Sequence, residues 1–478
     1  MSPSRKMQAH FLAATLAGLV LRLFFLWRFP FVAPDSSIYE ELARNWLDYR
    51  VYGLFVTQNV TPVDIRVPGY PAFLAAIYAV FHSSQLAVRS VQAVVDLATC
   101  GLTAVLAARL APPEGRKRVA VGAMWLAALC PFTANYTAAL LTETLATFLT
   151  TLAIVLLLDA WAGEEDARGD EAQPGRTWIG WFLAGIVVGL GALVRPETPL
   201  VLGAFGLVLL VRWRRRQDWR RLMRFGALSA AGLFFALLPW AARNWYALDR
   251  VQFLAPRYAE LPGEFVPRGF YAWTRTWLVR FGDVYLTIWK LGDEPISVDS
   301  LPTAAFDPPN ERERVRNLLE TYNVRHKLTP ALDEEFGELA SERTRHHPLH
   351  TYLWIPLGRA ATLWFTPRIE LLPYSGQLWP PGEKWEEDRA DFVVTVIFGL
   401  LGFVYVALAL VGAWCFRREP AVHLLMAFLL VRTVFLTQIE TPEPRYTLVC
   451  FPVVLVLATL RWAKPQPTPR QAQRIGEA

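Results

Sequence analysis

Residues 212–224 read RWRRRQDWRRLMR, seven arginines set between two apolar runs. Short arginine-rich loops between membrane segments stay on the cytoplasmic side, so this loop sets the register in which the rest of the chain is threaded. Counted outward from it, PPEGRKR (112–118), CFRRE (415–419) and the tail after Arg461 fall on the same side, and all three are basic. The linker AGEEDARGDEAQPGR (162–176) falls there too, but it is acidic, and acidic residues weigh little in orientation.

Composition agrees with a membrane chain. Of 478 residues 54% are hydrophobic and 13% aromatic, with 19 Trp and a mean hydropathy of +0.26, too apolar for an ordinary soluble enzyme. About ten runs approach the ~20-residue length that crosses a bilayer. They centre on Leu19, Asp96, Leu126, Val155, Ile186, Leu207, Phe234, Gly402, Leu429 and Leu455. The first, FLAATLAGLVLRLFFLWRFPF (11–31), follows Arg5 and Lys6 and ends without a small-residue cleavage site, so it reads as a retained span. YPAFLAAIYAVF (70–81) is too short to cross, and YLWIPLGRAATLWF (352–365) carries Pro356 and Arg359; both read as interfacial helices.

The charge of +6 lies in the loops between spans and reads as topology, not as a nucleic-acid footprint. Cys100, Cys130, Cys415 and Cys450 all sit in apolar runs and imply neither a disulfide framework nor a thiolate metal site.

The expected architecture is an all-α polytopic bundle with interfacial helices and a small outer helical subdomain. Residues 1–245 form an N-terminal membrane module with its first outer loop at 31–84. Residues 246–391 form the outer region, 392–463 a three-span module, and 464–478 a disordered cytoplasmic tail. Within the outer region, PPNERERVRNLLETYNVRHKL opens at an Asn310 cap, and TPALDEEFGELASERTR has Thr329 as cap and Pro330 at its first helical position. The chain is expected in the plasma (inner) membrane with both termini cytoplasmic.

This threading brings Asp35, Arg66, Glu143, Arg195, Arg243, Glu440 and Arg445 to the outer face from separate stretches of sequence. PDSSIYEELARNW (34–46), RVPGYPAFLAAIY (66–78), LTETLATFL (141–149), GALVRPETPL (191–200), PWAARNW (239–245) and ETPEPRY (440–446) follow one another along the chain. In that order they resemble the polyprenol-phosphate-sugar-dependent glycosyltransferases of the GT-C superfold, in the branch akin to glycosyltransferase family 39. Protein O-mannosyltransferases and the lipid A aminoarabinose transferase are relatives in that branch.

The resemblance implies that Asp35, in the first outer loop, is catalytic, and it places the second-loop acid on Glu143. Many relatives carry a second acid directly after the first; this chain has Ser36, which puts in doubt any role needing paired carboxylates there. Chemistry gives these residue types a reason. An acceptor attacking the anomeric carbon must lose a proton, and a carboxylate within reach can accept it. The leaving phosphate calls for guanidinium groups. The substrate-binding candidates are Arg66, Tyr70, Arg195, Arg243, Asn244, Arg445 and Tyr446. A divalent cation at Glu143 stays open, and no other cofactor is implied. The implied partners are a polyprenyl-phosphate sugar donor, a lipid, glycan or protein acceptor, and membrane lipids, with no nucleic acid.

Plainer readings stand beside these. Asp35 suits an N-cap before SSIYEEL, on a helix expected to start near Ser36 and to turn Ile38, Leu42, Trp46 and Leu47 toward lipid. Glu143 suits the start of a span. Arg195 and Arg445 suit anchors reaching headgroups. Arg22, Asp96 and Arg432 lie inside spans, where an unpaired charge costs ~2.5–3.5 kcal/mol on insertion scales, so they are expected to pair internally or meet water. HHPLH (346–350) reads more simply as exposed loop than as a metal site. Two other activities share these features: a polysaccharide polymerase or ligase using a prenyl-diphosphate donor, and a lipid or sugar transporter or flippase. Against the transporter, no inverted pair of broken helices is evident.

Overall fold

The computed structural model describes residues 3–56, 58–166, 175–214, 219–258, 261, 264–307 and 311–463. Arg215, the middle of the acidic linker, the expected Asn310 cap and the tail 464–478 lie outside them. The chain divides into two compact units, one of Met1–Ala259, Pro367–Val431 and Leu448–Ala478, the other of Glu260–Thr366 and Arg432–Thr447.

The first unit opens with α1 (Pro3–Arg28), α2 (Pro34–Asp48) and an antiparallel hairpin of β1 (Gly53–Val56) and β2 (Asn59–Pro62). There follow α3 (Gly69–Phe81), α4 (Gln85–Leu110), α5 (Arg116–Ala128), α6 (Pro131–Tyr136) and α7 (Glu143–Asp166). Next come α8 (Gly175–Ala192), α9 (Leu200–Arg214) and α10 (Trp219–Leu248). The second unit contains α11 (Arg268–Arg275), α12 (Phe281–Leu286), α13 (Glu311–Asn323), α14 (Pro330–His346) and α15 (Ile355–Phe365). The chain ends through α16 (Pro381–Glu387), α17 (Arg389–Cys415), α18 (Pro420–Leu436) and α19 (Phe451–Leu460).

The protein is an all-α polytopic membrane protein. Among the described residues, α1, α4, α7, α10 and α17 are long and apolar enough to cross a bilayer. The expected centres Ile186, Leu207, Leu429 and Leu455 fall in shorter apolar helices. Leu126 falls in α5, only 13 residues long. The break has a local cause: Pro131 has no N–H to continue a helix and instead starts α6 at its first position.

Arg22 of α1 and Asp96 of α4 meet inside the bundle, as their cost in hydrocarbon requires. Nη2 of Arg22 lies 2.6 Å and Nε 2.9 Å from Asp96 Oδ2, and Nη1 donates to the Gly18 and Ala128 carbonyls at 2.8 Å each. The exposure of the two side chains is 0% and 3%. Helices α8 and α10 pack backbone to backbone: a Cβ on Gly185 would lie 2.1 Å from the Ser229 carbonyl, and one on Gly232 2.1 Å from that of Phe182.

A third buried arginine went unnoticed in the sequence. Arg368, between the units in sequence but within the first, is 1% exposed, with its guanidinium over the rings of Phe132 (5.7 Å) and Phe451 (5.0 Å).

In the second unit Trp273, Trp277, Tyr322 and Phe336 make the core. Thr329 caps α14 by accepting the Leu332 N–H, as expected, and Asp333 accepts the N–H groups of Gly269 and Phe270 at 2.9 and 2.8 Å. Helix α15 leaves Leu357 half exposed but buries Arg359, which donates to the carbonyls of Leu278, Thr437 and Ile439 at 2.8–3.1 Å. Burial pulls the Arg359 guanidinium down to about 10, and the neighbouring Arg275 pulls the same way. Arg432, the remaining span charge, is also buried and donates to the Tyr446 carbonyl at 3.2 Å.

Candidate functional site

The site begins at the turn into α2. The Ala33 N–H donates to Ser36 Oγ at 3.0 Å and the Ser36 N–H to the Ala33 carbonyl at 2.9 Å, with Pro34 opening the helix. Ala33 is therefore the cap and Ser36 does the capping chemistry, so Asp35 is not the N-cap that plain sequence reading offers. It stands in the first turn with its carboxylate turned to Arg66, Nη2 to Oδ1 3.1 Å, in a pair that keeps a quarter to a third of each side chain exposed. Leu42 does not face lipid as expected: it is fully buried. Neighbouring residues of α2 pack into a protein cluster, Ala43 with Tyr70 and Leu74 of α3, because an apolar helix face meets lipid or protein equally well.

Tyr39 sits one turn after Asp35 on the same helix, close enough to Arg66 to help raise its guanidinium. Its ring stands edge-on to Tyr70 at 5.2 Å. Burial pushes its hydroxyl up to about 12; Asp35 and Glu143 add to the rise while Arg66 and Arg195 oppose it. All four charged groups of the site thus act on this one hydroxyl. For Arg66, burial works against the charge, but Tyr39 and Asp35 outweigh it and the guanidinium is raised. Tyr39 was missed in the sequence; its only signal was the four-residue step from Asp35 on one helix face.

The second arm is built at the start of α7. Glu143 is 2% exposed, and Arg195 Nη1 lies 3.0 Å from its Oε1 while Nε lies 2.7 Å from Glu197 Oε1. Two carboxylates hold this arginine, and Glu197 is a second residue that sequence reading overlooked. The arms are riveted through backbone: the Gly69 N–H donates to the Leu193 carbonyl at 2.6 Å, and a Cβ on Gly69 would sit 2.5 Å from that oxygen.

The other candidates have framework duties here. Arg243 Nη1 donates to the Val63 carbonyl at 2.8 Å and Nη2 to that of Tyr52, so it grips both sides of the hairpin base, with its guanidinium 5.2 Å from the Tyr52 ring and 5.0 Å from the Trp240 ring. Tyr52 in turn donates its hydroxyl to the Arg66 carbonyl at 2.9 Å. Asn244 is fully buried, bonded to Arg243 and to the Gln252 carbonyl. Tyr70 is fully buried, its hydroxyl donating to Gln92 at 2.8 Å. Arg445 and Tyr446 belong to the second unit, where both bind Glu443, at 2.6 Å in each case.

Beside the two arms runs an apolar cavity of about 670 Å³, lined by Trp46, Tyr52, Leu145, Leu149, Val194 and Trp240 among others. Pro68, Gly69 and Arg243 also line it, so its wall comes within a few residues of Arg66, Glu143 and Arg195. Among the described residues no three His, Cys, Asp or Glu side chains gather as a cation cage. Asp35 and Glu143 each face an arginine instead. The site as built does not fit a divalent cation. His346, His347 and His350 are exposed at the end of α14.

The family described as dolichyl-phosphate-mannose-protein mannosyltransferase matches residues 65–241. The matched stretch holds RVPGYPAFLAAIY, LTETLATFL and GALVRPETPL, hence Arg66, Glu143 and Arg195; Asp35 precedes it. An undecaprenyl phosphate-alpha-4-amino-4-deoxy-L-arabinose arabinosyl transferase of Pseudomonas aeruginosa (strain LESB58) is 33% identical over 95 residues, 20% of this chain and 16% of that protein. An Archaeoglobus fulgidus oligosaccharyltransferase, tethered with an acceptor peptide, shares 15% identity at a TM-score of 0.49 over 95% of this chain and 49% of its own. ArnT of Cupriavidus metallidurans in the apo state shares 14% at 0.43, over 98% and 79%. The chain thus spans about half the length of the oligosaccharyltransferase, and at these scores its fold stands on its own helices.

Proposed function

We propose that this chain, a relative of the protein O-mannosyltransferases and of the lipid A aminoarabinose transferase, is a membrane glycosyltransferase. It moves a sugar from a polyprenyl-phosphate donor to an acceptor at the outer face, with inversion. The observation that carries this reading is the pairing of two arginine–carboxylate arms around Tyr39, next to an apolar cavity. The cavity suits the first isoprene units of a carrier, and the guanidinium groups of Arg66 and Arg195, one or two residues along the chain from its lining residues Pro68 and Val194, suit the phosphate.

In this mechanism the donor phosphate competes with Asp35 for Arg66. As the guanidinium turns to phosphate oxygens, the Asp35 carboxylate is released toward the acceptor. The acceptor hydroxyl or amine attacks the anomeric carbon from the face opposite the phosphate; its proton passes to Asp35, and the carbon–oxygen bond to phosphate breaks with the electron pair leaving on the phosphate oxygen. Tyr39, kept protonated, donates to the same phosphate. Arg195 is matched by Glu143 and Glu197, so Arg66 is the better phosphate ligand, and Glu143 orients the acceptor. Arg243 acts through the hairpin and not on the donor.

The test is transfer from radiolabelled prenyl-phosphate sugar by the purified chain, with Asp35→Asn alongside. Asp35→Asn is expected to slow transfer ~10²- to 10⁴-fold. An unchanged rate in the folded variant removes Asp35 as base. Transfer only from a prenyl-diphosphate donor moves the chain to the polymerase or ligase reading, and movement across sealed vesicles without covalent change to the transporter reading.

A further inference from the structure

A second cavity, of about 400 Å³, lies at the other end of α7 from Glu143. Its walls include Val105, Ala108, Arg109 and Leu110 at the end of α4, Arg116 at the start of α5, Leu158, Asp159, Trp161 and Ala162 on α7, and Ala421 on α18. Along α7, Asp159 stands ~24 Å from Glu143 at 1.5 Å of rise per residue, close to the ~30 Å depth of hydrocarbon. The cavity therefore belongs to the opposite leaflet from the catalytic arms, at the level of the basic loop 112–118.

Its chemistry is that of a headgroup pocket. Arg109 is ion-paired with Asp159 and donates to the Val155 carbonyl at 3.2 Å, which leaves Arg116 as the lining charge with no carboxylate paired to it among the described residues. Arg116 is exposed, at the rim. Trp161, more than nine-tenths buried, lines the wall, and its indole N–H has no acceptor among the described residues. Such a donor in a low-dielectric setting costs free energy unless a ligand accepts from it. Arg212 lies over the same indole ring at 5.6 Å and adds positive potential. The remaining lining of Val105, Ala108, Leu110, Leu158 and Ala162 is apolar, and Val105 is 40% exposed, so acyl chains find a continuous greasy path beside the polar end.

We propose that this cavity seats one anionic phospholipid, its phosphate accepting from the Trp161 indole and facing Arg116, its chains lying along α4 and α7. Basic pockets between membrane helices on the cytoplasmic side hold anionic headgroups in this manner. The net positive lining selects an anionic headgroup over a zwitterionic one. The site is independent of the sugar-transfer reading and has its own readout.

The full-length chain, released from detergent in native mass spectrometry, is offered phosphatidylglycerol, phosphatidylethanolamine or inorganic phosphate. Wild type is expected to keep one phosphatidylglycerol in preference to phosphatidylethanolamine. Arg116→Gln, at an exposed position that does not endanger folding, is expected to weaken retention about fivefold. Trp161→Phe, which keeps the ring and removes the donor, is expected to weaken it further still. Equal retention of both lipids, retention unaltered in Arg116→Gln, or displacement of the lipid by millimolar inorganic phosphate overturns the proposal.

Discussion

Among the arginine–aspartate pairs of the first unit, Arg22–Asp96 and Arg66–Asp35 are chemically alike and physically opposite. Arg22–Asp96 is sealed at 2.6 Å with side chains 0% and 3% exposed; Arg66–Asp35 is looser at 3.1 Å, with 25% and 33% exposed. The sealed pair is also satisfied by two carbonyls and by Cys100 Sγ, so neither member is offered to anything else. The open pair acts on the Tyr39 hydroxyl and lies two residues along the chain from Pro68 in the cavity wall. A charge pair closed on all sides secures a bundle; one left ajar is a place where an incoming anion can substitute for a partner.

Substitutions test that contrast. Arg22→Leu strands Asp96 in the bundle and should cost about 3–5 kcal/mol, read as loss of monodisperse folded protein or a large fall in Tm. Replacing both by leucine should restore most of it, since a well-packed apolar pair often matches a buried ionic one. If Arg22→Leu melts like wild type, the sealed pair is no fastening. Arg66→Leu should leave Tm nearly unchanged, because exposed pairs contribute ~0–1 kcal/mol. It should lower kcat/KM for the lipid donor roughly 10- to 100-fold, the loss of a charge-assisted hydrogen bond. A large stability loss there would erase the distinction between the pairs.

Tyr39→Phe removes one donor and should reduce kcat/KM about tenfold. Its hydroxyl, raised to about 12, stays protonated below that pH, so wild type should show no alkaline decline owed to Tyr39 between pH 8 and 10. A limb near pH 9 that disappears in Tyr39→Phe would contradict the placement. Smallest is Arg243→Lys, which keeps the charge but loses the two-pronged grip on the hairpin. Faster amide exchange in Gly53–Val56, with a stability change of ~1 kcal/mol, is expected, and KM for the donor should hold. A donor KM that rises as much as in Arg66→Leu would return Arg243 to the phosphate.

What could be read from sequence follows from what each residue costs. Arg22, Asp96 and Arg432 announced that they would pair internally or meet water, because a lone charge in hydrocarbon is costly, and the fold joins the first two. Thr329 and Pro330 announced α14 because cap chemistry is local. The apolar helices were legible from hydropathy, but of the ten expected spans only five are long and apolar enough to cross among the described residues; Pro131 cut the third run short, and four others fall in shorter apolar helices. The hairpin contacts of Arg243 were not legible because nothing local says whether a guanidinium will meet carbonyls of a distant hairpin. Leu42 was misjudged because hydropathy does not distinguish lipid from protein. Tyr39 stayed hidden because Arg66 and Tyr70 lie far along the chain, and Arg368 because its cage of Phe132 and Phe451 does too; Glu197 lies only two residues from Arg195, but a two-residue step across a turn does not say that the side chains meet.

The hydrogen bond from Gly69 to the Leu193 carbonyl turns two flexible-looking loops into a caliper. Side chains at Arg66 and Arg195 can swing, but the jaws from which they hang cannot spread or narrow without breaking main-chain contact. In the proposed reaction headgroup breadth is gauged by this peptide geometry, and a single methyl added at position 69, 2.5 Å from the Leu193 carbonyl oxygen, is expected to reset that gauge for every substrate at once.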